Sequence, residues 1–289
     1  MNLKQLIHQA TSIISSLYPE SEAREMVLAY LCDTLGVRKH THIIDPAYEV
    51  PAERATEALA DFARMASGEP LQYVTGKAPF YGRTFHVTPA TLIPRPETEL
   101  LCRMAVKSVP CRAPRILDLC TGSGCIAWTM ALELPGSQVT AVDLSEDALK
   151  VAASQDFTEE ISRTRASAPI FLKADVLDVT PDSFPRDCDL ILSNPPYVMD
   201  REKALMRSNV LDHEPHMALF VPDHDPLLFY KAVARHASSL LASEGVGIVE
   251  INEALGEETA TVFRMAGFGR TEVVNDLNDK SRFVLFSWK

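Results

Sequence analysis

Apolar residues in the first 68 positions recur at steps of three and four, which is the spacing of one face of an α-helix. Pro19 and Gly36 end two such segments, and Pro51 begins a third that reaches Gly68. The pattern therefore predicts a small helical domain over residues 1–68. The first of its helices presents an apolar stripe made of Leu3, Leu6, Ile7, Ala10, Ile13, Ile14 and Leu17.

Residues 69–95 differ in character, because Gly, Pro and aromatic residues replace the helical repeat. Around Phe80 and Phe85 the sequence has a strand-turn-strand pattern with Gly82 in the turn. We expect a β-hairpin here that links the helical domain to the rest of the chain.

From Pro96 onward, short apolar runs alternate with helical repeats, a pattern typical of a mainly parallel sheet with helices on both faces. The last two runs are separated by too few residues for a crossover helix, so we expect them to pair antiparallel. Residues 154–169 are polar and are expected to form a helix extension or a loop without chemistry. The predicted strands are 115–119, 138–142, 170–172, 189–192, 246–251, 270–274 and 282–286, and the predicted helices are 126–134, 146–153, 227–241 and 254–265.

A glycine-containing turn follows the first predicted strand of this region. Gly122 and Gly124 lie just before a helix, where backbone N–H groups are free to meet a ligand, and Thr121 belongs to the same turn. A dinucleotide site is one interpretation, with Ala127 at the third glycine position. Asp118 argues against it, because a carboxylate would repel a pyrophosphate. A cationic ligand, such as the ammonium and sulfonium groups of S-adenosylmethionine, suits Asp118 better.

Two further carboxylates follow the next two predicted strands. Asp143 ends one strand and could accept hydrogen bonds from both hydroxyls of a ribose, and Asp175 lies just past the next and could accept from an adenine amine. Taken singly, each is also compatible with a helix cap or a solvated loop. Because the carboxyl ends of parallel strands meet at one edge of a sheet, Asp118, Asp143 and Asp175 together favour a common ligand crevice.

The fourth predicted strand ends in the sequence Asn194, Pro195, Pro196 and Tyr197. Asn-Pro is ordinary turn chemistry, and that interpretation remains open. The two prolines, however, remove two N–H donors and leave carbonyl acceptors, and the Asn194 side chain adds another. Tyr197 offers a flat face for a planar group. Such acceptors suit an NH2 nucleophile on an amide or a base, which they would orient toward an electrophilic methyl group without a metal or a covalent nucleophile.

Composition narrows the class of protein further. The 289 residues carry 28 Lys and Arg against 39 Asp and Glu, a net charge of −11, which argues against a protein that wraps duplex nucleic acid. With no apolar run long enough to span a membrane and no signal sequence, we expect a cytoplasmic protein that does not bind membranes. Six scattered cysteines form no Cys-x-x-Cys pair, so no metal site is predicted.

These motifs together resemble the class I S-adenosylmethionine-dependent methyltransferases and, within them, the HemK/PrmC family, which methylates the amide nitrogen of a glutamine in bacterial peptide chain release factors. The resemblance covers nearly the whole chain. The sequence 194–197 is shared with DNA adenine and some RNA guanine methyltransferases and specifies only an NH2 acceptor. More specific are residues 70–76 and 92–99, with Glu214-Pro215 and Asp225-Pro226-Leu227 downstream.

The resemblance implies an α/β protein with a seven-stranded, mainly parallel Rossmann-like methyltransferase sheet at 96–289, a linking β-hairpin at 69–95 and a helical substrate-docking domain at 1–68. It implies S-adenosylmethionine as the cofactor and a release factor as the partner. The substrate glutamine would lie in a Gly-Gly-Gln loop. The expected catalytic residues are Asn194, Pro195 and Tyr197, and Pro196, Arg95 and Glu97 are expected to complete the substrate site. Glu97 is equally compatible with a favourable acid in the first turn of a helix. The expected cofactor residues are Asp118, Thr121, Gly122, Gly124, Asp143, Asp175 and Asn194.

The sequence departs from the family pattern at three places. Cys120 stands where many relatives have glycine, Asn252 replaces a common glycine after Ile251, and residues 154–156 replace a familiar Asn-Ala. The last departure leaves open which residue lines the adenine pocket there.

Two alternative functions remain. An adenine-N6 or guanine-N2 nucleic-acid methyltransferase would need a cationic groove, yet residues 1–85 hold 8 Lys and Arg against 10 Asp and Glu, and the rest 20 against 29. An inactive cofactor-binding scaffold is disfavoured by the intact motifs. We expect a monomer that makes no direct contact with nucleic acid.

Overall fold

The computed structural model describes residues 1–109, 111–179 and 182–289. The chain forms two compact units, which are Met1–Lys77 with Met206–His213, and Ala78–Leu205 with Glu214–Lys289. The functional division into docking domain, linker and catalytic domain at residues 68 and 95 stays a prediction.

The first unit is helical, as its apolar repeat predicts. Asn2 caps the first helix and exchanges hydrogen bonds with Gln5, and Gly36 ends the second with a left-handed conformation of φ +66°. Leu17 is 43% exposed, so the apolar stripe of the first helix stops short of it. The helices are α1 (Leu3–Ile14), α2 (Glu20–Leu35), α3 (Thr41–Ile44), α4 (Ala52–Ala66) and α5 (Leu71–Thr75), of which the short α3 and α5 were not predicted.

The second unit begins with the expected hairpin, formed by β1 (Lys77–Phe80) and β2 (Arg83–His86). A helix that the apolar pattern did not predict, α6 (Pro96–Ser108), follows it. Pro96 at its first position and two acids in its first turn are ordinary signals for a helix start.

The seven predicted strands form one sheet with the order β10-β11-β9-β6-β3-β4-β5. Four neighbouring pairs are parallel, whereas β11 pairs antiparallel with both β9 and β10, which confirms the expectation for the last two strands. The strands are β3 (Arg115–Leu119), β4 (Gln138–Asp143), β5 (Ile170–Lys173), β6 (Cys188–Ser193), β9 (Leu241–Glu250), β10 (Arg270–Asn275) and β11 (Ser281–Ser287); β7 (Val198–Met199) and β8 (Phe220–Val221) form a separate parallel pair.

Side chains alternate between two apolar cores, one on each face of the sheet. Ile116 packs in one core with α6, and its neighbour Leu117 packs in the other beneath the helices near the carboxyl end of the chain. Burial on both faces explains the continuous apolar runs of the central strands. The remaining helices of this unit are α7 (Cys125–Glu133), α8 (Glu146–Ala153), α9 (Thr158–Thr164), α11 (Leu228–Leu240) and α12 (Gly256–Met265), with 3-10 turns at Asp200–Leu205, His216–Ala218 and Glu253–Leu255. The short α10 (Ser208–Leu211) belongs to the first unit.

Strand order places a ligand crevice at a defined point. The chain runs from β3 outward through β4 and β5, then returns to the other side of β3 to form β6. Such a reversal leaves a crevice at the carboxyl ends of the strands, where open α/β sheets bind ligands. No helix among the described residues is both long and apolar enough to cross a membrane.

Candidate active site

A cavity of about 360 Å³ opens at the carboxyl ends of β3, β4, β5 and β6, a size that suits a small-molecule ligand. The sequence-predicted residues in its wall are Gly122, Asp143, Asp175, Asn194 and Pro196. The tertiary structure therefore brings together side chains from four different strand ends. Most of the remaining wall is apolar, and it includes Leu144, Val176, Leu228 and Phe229.

The turn after β3 adopts the left-handed conformation that glycine favours. Gly122 has φ +55°, and a Cβ atom at this position would meet no other atom within 4 Å, so the backbone borders open space. Gly124 has φ +79°, and a Cβ atom there would come within 3.0 Å of the Ala152 Cβ. Gly122 thus exposes backbone to a ligand, and Gly124 allows α8 to pack closely. Cys120 has φ +64°, a conformation that glycine adopts more readily than cysteine.

Asp143, the last residue of β4, is held by two backbone donors. Its Oδ2 accepts from the Gly122 N–H at 2.8 Å and its Oδ1 accepts from the Ser145 N–H at 2.9 Å. Burial raises the pKa of Asp143, and these hydrogen bonds oppose the rise. Each oxygen retains a lone pair with which to accept from a ligand. The side chain that caps α8 is Ser145, whose hydroxyl accepts from the Ala148 N–H.

Asp118 lies beneath the wall of the cavity. Its side chain is fully buried, and its Oδ2 accepts from the Thr121 hydroxyl at 2.5 Å. Burial raises the pKa of Asp118 to about 7, and the negative charge of Asp143 adds to the rise. Asp118 and Thr121 are not among the residues that line the cavity. Direct contact of Asp118 with a cationic ligand stays a prediction.

The loop that carries Asp175 is fixed from behind by α11. Asp175 Oδ1 accepts from the Leu177 N–H at 2.8 Å. Arg235 donates to the carbonyl oxygens of Val176 and Leu177 at 3.1 and 2.9 Å, and the buried His236 lies 2.8 Å from the same Val176 oxygen. This helix therefore holds Val176 and Leu177 in the cavity wall, next to the predicted Asp175.

Asn194 and Tyr197 are tied to two residues that sequence reasoning did not assign. The Asn194 Nδ2 donates to the Thr98 hydroxyl oxygen at 3.1 Å, and the Tyr197 hydroxyl donates to Glu250 at 3.0 Å. Pro195 is buried and precedes Pro196 in the chain; Pro196 lines the cavity, whereas Pro195 and Tyr197 are not among its lining residues. The sequence does offer one indication of a role for Glu250, because this carboxylate stands at the end of a buried strand.

The predicted substrate residues Arg95 and Glu97 occupy different environments. The Arg95 guanidinium donates to the buried carboxylate of Glu214 at 2.6 Å. Glu97 is half-buried in the first turn of α6, and it does not line the cavity. Glu214 is a further residue to which the sequence assigned no role.

Two departures from the family pattern acquire structural roles. Gln155 is buried, pairs with both the N–H and the C=O of His86, and donates to the Ser123 carbonyl, so it joins the hairpin to the glycine turn. The expectation that residues 154–169 take no part in the chemistry stays a prediction, and Gln155 in this segment holds the glycine turn in place. Asn252 donates to the Tyr197 carbonyl at 3.2 Å and to Glu202 at 2.9 Å.

Comparison with known proteins gives matches along the whole chain. Residues 5–76 match the family model described as PrmC N-terminal domain, and residues 97–214 match that described as Methyltransferase small domain. A release factor glutamine methyltransferase of Bacteroides thetaiotaomicron is 38% identical over 94% of this chain and 95% of its own length. Another, of Flavobacterium psychrophilum, is 31% identical over the full length of both proteins.

Among solved structures, the hMettl16 catalytic domain, in complex with an RNA hairpin of the MAT2A 3'UTR, is similar in fold. It aligns with a TM-score of 0.55 and 13% identity over 84% of both chains. At this identity the likeness concerns the fold alone, and it agrees with the mainly parallel sheet expected from the sequence.

Proposed function

Because the chain belongs to the release factor glutamine methyltransferase family, we propose that it methylates the side-chain amide nitrogen, N5, of the glutamine in the Gly-Gly-Gln motif of peptide chain release factors. It is an S-adenosylmethionine-dependent enzyme. The bound cofactor supplies an electrophilic methyl group on a positively charged sulfur. The residues of the chain then have three tasks, which are to hold the cofactor, to orient the amide and to exclude water.

The cavity residues fit this cofactor. The open space beside Gly122 gives room for a ligand against the backbone, and the anchored Asp143 carboxylate has lone pairs for ribose hydroxyls. We assign Asp175 to the adenine amine and the apolar residues around it to the faces of the ring. The acidic character of this edge of the sheet also favours a cationic ligand.

One observation carries the assignment of the acceptor site. Asn194 lines the cavity, and its Nδ2 is engaged by Thr98, so Oδ1 is the amide atom left to accept from a molecule in the cavity. Pro195 has no N–H and contributes a carbonyl oxygen. Two acceptors of this kind match the two hydrogens of a primary amide nitrogen.

Hydrogen bonds from the substrate NH2 to Asn194 Oδ1 and the Pro195 carbonyl would aim the nitrogen at the methyl group. They would also strengthen as the nitrogen gains positive charge, which lowers the barrier to transfer. The nitrogen that has gained the methyl group is strongly acidic, so its proton can pass to water and needs no residue with a pKa near 7. Tyr197 would pack against the plane of the amide.

We assign docking of the release factor to the helical domain over residues 1–68, and we keep Arg95 and Glu97 as residues near the entrance for the Gly-Gly-Gln loop. The net charge of −11 suits a basic protein partner better than nucleic acid. We propose that the enzyme acts as a monomer.

The experiment that tests this function offers the purified enzyme methyl-labelled S-adenosylmethionine with either a release factor or nucleic acid. Label should enter the release factor and should disappear when its Gly-Gly-Gln glutamine is replaced by alanine. Label that enters only nucleic acid would contradict the proposal and favour an adenine-N6 or guanine-N2 methyltransferase. Absence of label together with cofactor binding would favour a scaffold protein.

A further inference from the structure

Glu250 is a buried carboxylate behind the cavity wall, at the end of β9. It is 1% exposed, and its two oxygens accept from two different hydroxyl groups. Thr98 donates to Oε2 at 2.6 Å, and Tyr197 donates to Oε1 at 3.0 Å. Burial raises the pKa of Glu250, while these hydrogen bonds and the positive charge of Arg282 oppose the rise. A fully buried acid with two strong donors is an arrangement that fixes the direction of hydrogen bonds.

The hydrogen bond from Thr98 to Glu250 determines the direction of the next one, between Asn194 and Thr98. A threonine hydroxyl has one hydrogen, and here it is directed to Glu250. The Thr98 oxygen can therefore only accept from its other neighbour. Of the two branches of the Asn194 amide, only Nδ2 carries hydrogens, so Nδ2 must lie toward Thr98, at the observed 3.1 Å. The Asn194 oxygen is left for the cavity.

Tyr197 is fixed by the same carboxylate from the other side. Its hydroxyl hydrogen is directed to Glu250 Oε1, and its backbone carbonyl accepts from Asn252 at 3.2 Å. Both side chains assigned to the substrate amide, Asn194 and Tyr197, therefore depend on Glu250 for their orientation.

We propose that Glu250 is a positioning residue that sets the polarity of the acceptor site, so that the site selects a carboxamide and rejects the matching carboxylate. This inference rests on the proposed function, and it concerns the selectivity of the same site. With Asn194 lining the cavity and the Pro195 carbonyl assigned to the same acceptor site, a glutamine NH2 finds two acceptors. A glutamate carboxylate at the same place would meet two oxygen atoms and no donor, and sites of this kind discriminate strongly.

Glu250→Gln tests the inference with nearly unchanged shape. A glutamine at this position has an NH2 group that can donate to the Thr98 oxygen. The Thr98 hydroxyl is then free to donate to Asn194 Oδ1, and the Asn194 amide can turn its NH2 toward the cavity. We expect kcat for a Gly-Gly-Gln release factor to fall about 30-fold or more, with cofactor affinity within about twofold of wild type.

The selectivity for glutamine over glutamate should change only if Glu250 positions the acceptor site, and not if its role is merely structural. A release factor in which Gly-Gly-Glu replaces Gly-Gly-Gln serves as a competitive ligand. Wild type should bind the Gly-Gly-Gln release factor more tightly than the Gly-Gly-Glu variant. Glu250→Gln should lower this ratio of affinities by about tenfold, because the turned Asn194 now offers donors to a carboxylate. Glu258→Gln, at an exposed position of α12, is the matched control and should behave as wild type.

Variants of Thr98 test the path itself. Thr98→Val removes the hydroxyl with little change in volume and should lower kcat as Glu250→Gln does, whereas Thr98→Ser keeps the hydroxyl and should restore most of it. The double variant Thr98→Val with Glu250→Gln should be no slower than the slower single variant, because both changes interrupt one path. A double variant whose loss of kcat equals the product of the two single losses would contradict the inference.

The outcomes are distinguishable from those of the proposed function. A wild-type enzyme that labels only nucleic acid overturns the proposed function and, with it, selectivity for glutamine. An active wild type whose Glu250→Gln variant keeps both kcat and the affinity ratio overturns the inference alone. Loss of thermal stability and of cofactor affinity in step with kcat, in Thr98→Val as well, assigns Glu250 to the fold and also overturns it.

Discussion

Glu214 holds Arg95 and the backbone of Ile93 with one carboxylate. Its Oε1 accepts from the Arg95 guanidinium at 2.6 Å, and its Oε2 accepts from the Ile93 N–H at 3.2 Å. Residues 90–92 and Pro215 both line the cavity, so this carboxylate joins two segments of the cavity wall. Because Glu214 is 4% exposed, the interaction is partly shielded from water and from salt.

Glu214→Ala should weaken S-adenosylmethionine binding by about tenfold, because it leaves the Ile93 N–H without its acceptor and frees the two wall segments. Titration calorimetry of the purified enzyme measures this. Asp147→Ala removes an exposed partner of Lys150 on α8 and serves as the control, since exposed ion pairs contribute little. An unchanged dissociation constant in Glu214→Ala would mean that the wall keeps its shape without this contact.

Asn194→Ala should slow methyl transfer by about two orders of magnitude or more while leaving cofactor affinity nearly intact, because it removes an oriented acceptor that acts on the substrate nitrogen. Single-turnover transfer and cofactor titration on the same preparation separate the two effects. A comparable loss of cofactor affinity would show that Asn194 is chiefly a binding residue.

Asp118 should make the stability of the cofactor-free protein depend on pH. Its folded-state pKa of about 7 lies above the ordinary 3.8, so the stability from this group is fully present below the ordinary value and is lost as the pH rises through about 7. Relative to Asp118→Asn, wild type should lose on the order of 2 kcal/mol of unfolding free energy between about pH 5.5 and pH 7.

Urea unfolding of both proteins at these two pH values measures the difference. Asp147→Asn, at an exposed position, is the control and should leave the pH dependence of wild type unchanged. A difference between wild type and Asp118→Asn that stays constant with pH would contradict the raised pKa.

Activity toward an intact release factor should fall steeply with added salt if the acidic enzyme meets a basic partner surface. Most of the net negative charge belongs to the residues after position 85, which include 29 Asp and Glu and only 20 Lys and Arg. Salt screens attraction between exposed charges, and the loss should occur chiefly in kcat/KM. A short Gly-Gly-Gln peptide, which lacks that surface, is the control and should show a weaker salt response. Equal, flat responses would remove charge complementarity from the docking model.

The sequence alone determined the fold class and the four strand ends from which the site is built. Apolar runs and helical repeats report burial directly, so seven strands and the antiparallel final pair followed from the pattern. It also singled out Gly122, Asp143 and Asn194, because they follow three buried strands whose carboxyl ends meet at one edge of the sheet. The helix α6 was missed, although Pro96 marks its start and its buried residues Leu101, Cys102 and Ala105 stand at helical spacing.

Only the tertiary structure decided which residues support those side chains. Thr98 and Glu250 are separated by 152 positions, and Arg95 and Glu214 by 119, so no local pattern relates them. A buried carboxylate and a hydroxyl acquire their roles from the partner that packing places beside them, and that partner lies elsewhere in the chain. The sequence could name the amide acceptor Asn194, but the direction of its amide depends on contacts that exist only in the folded protein.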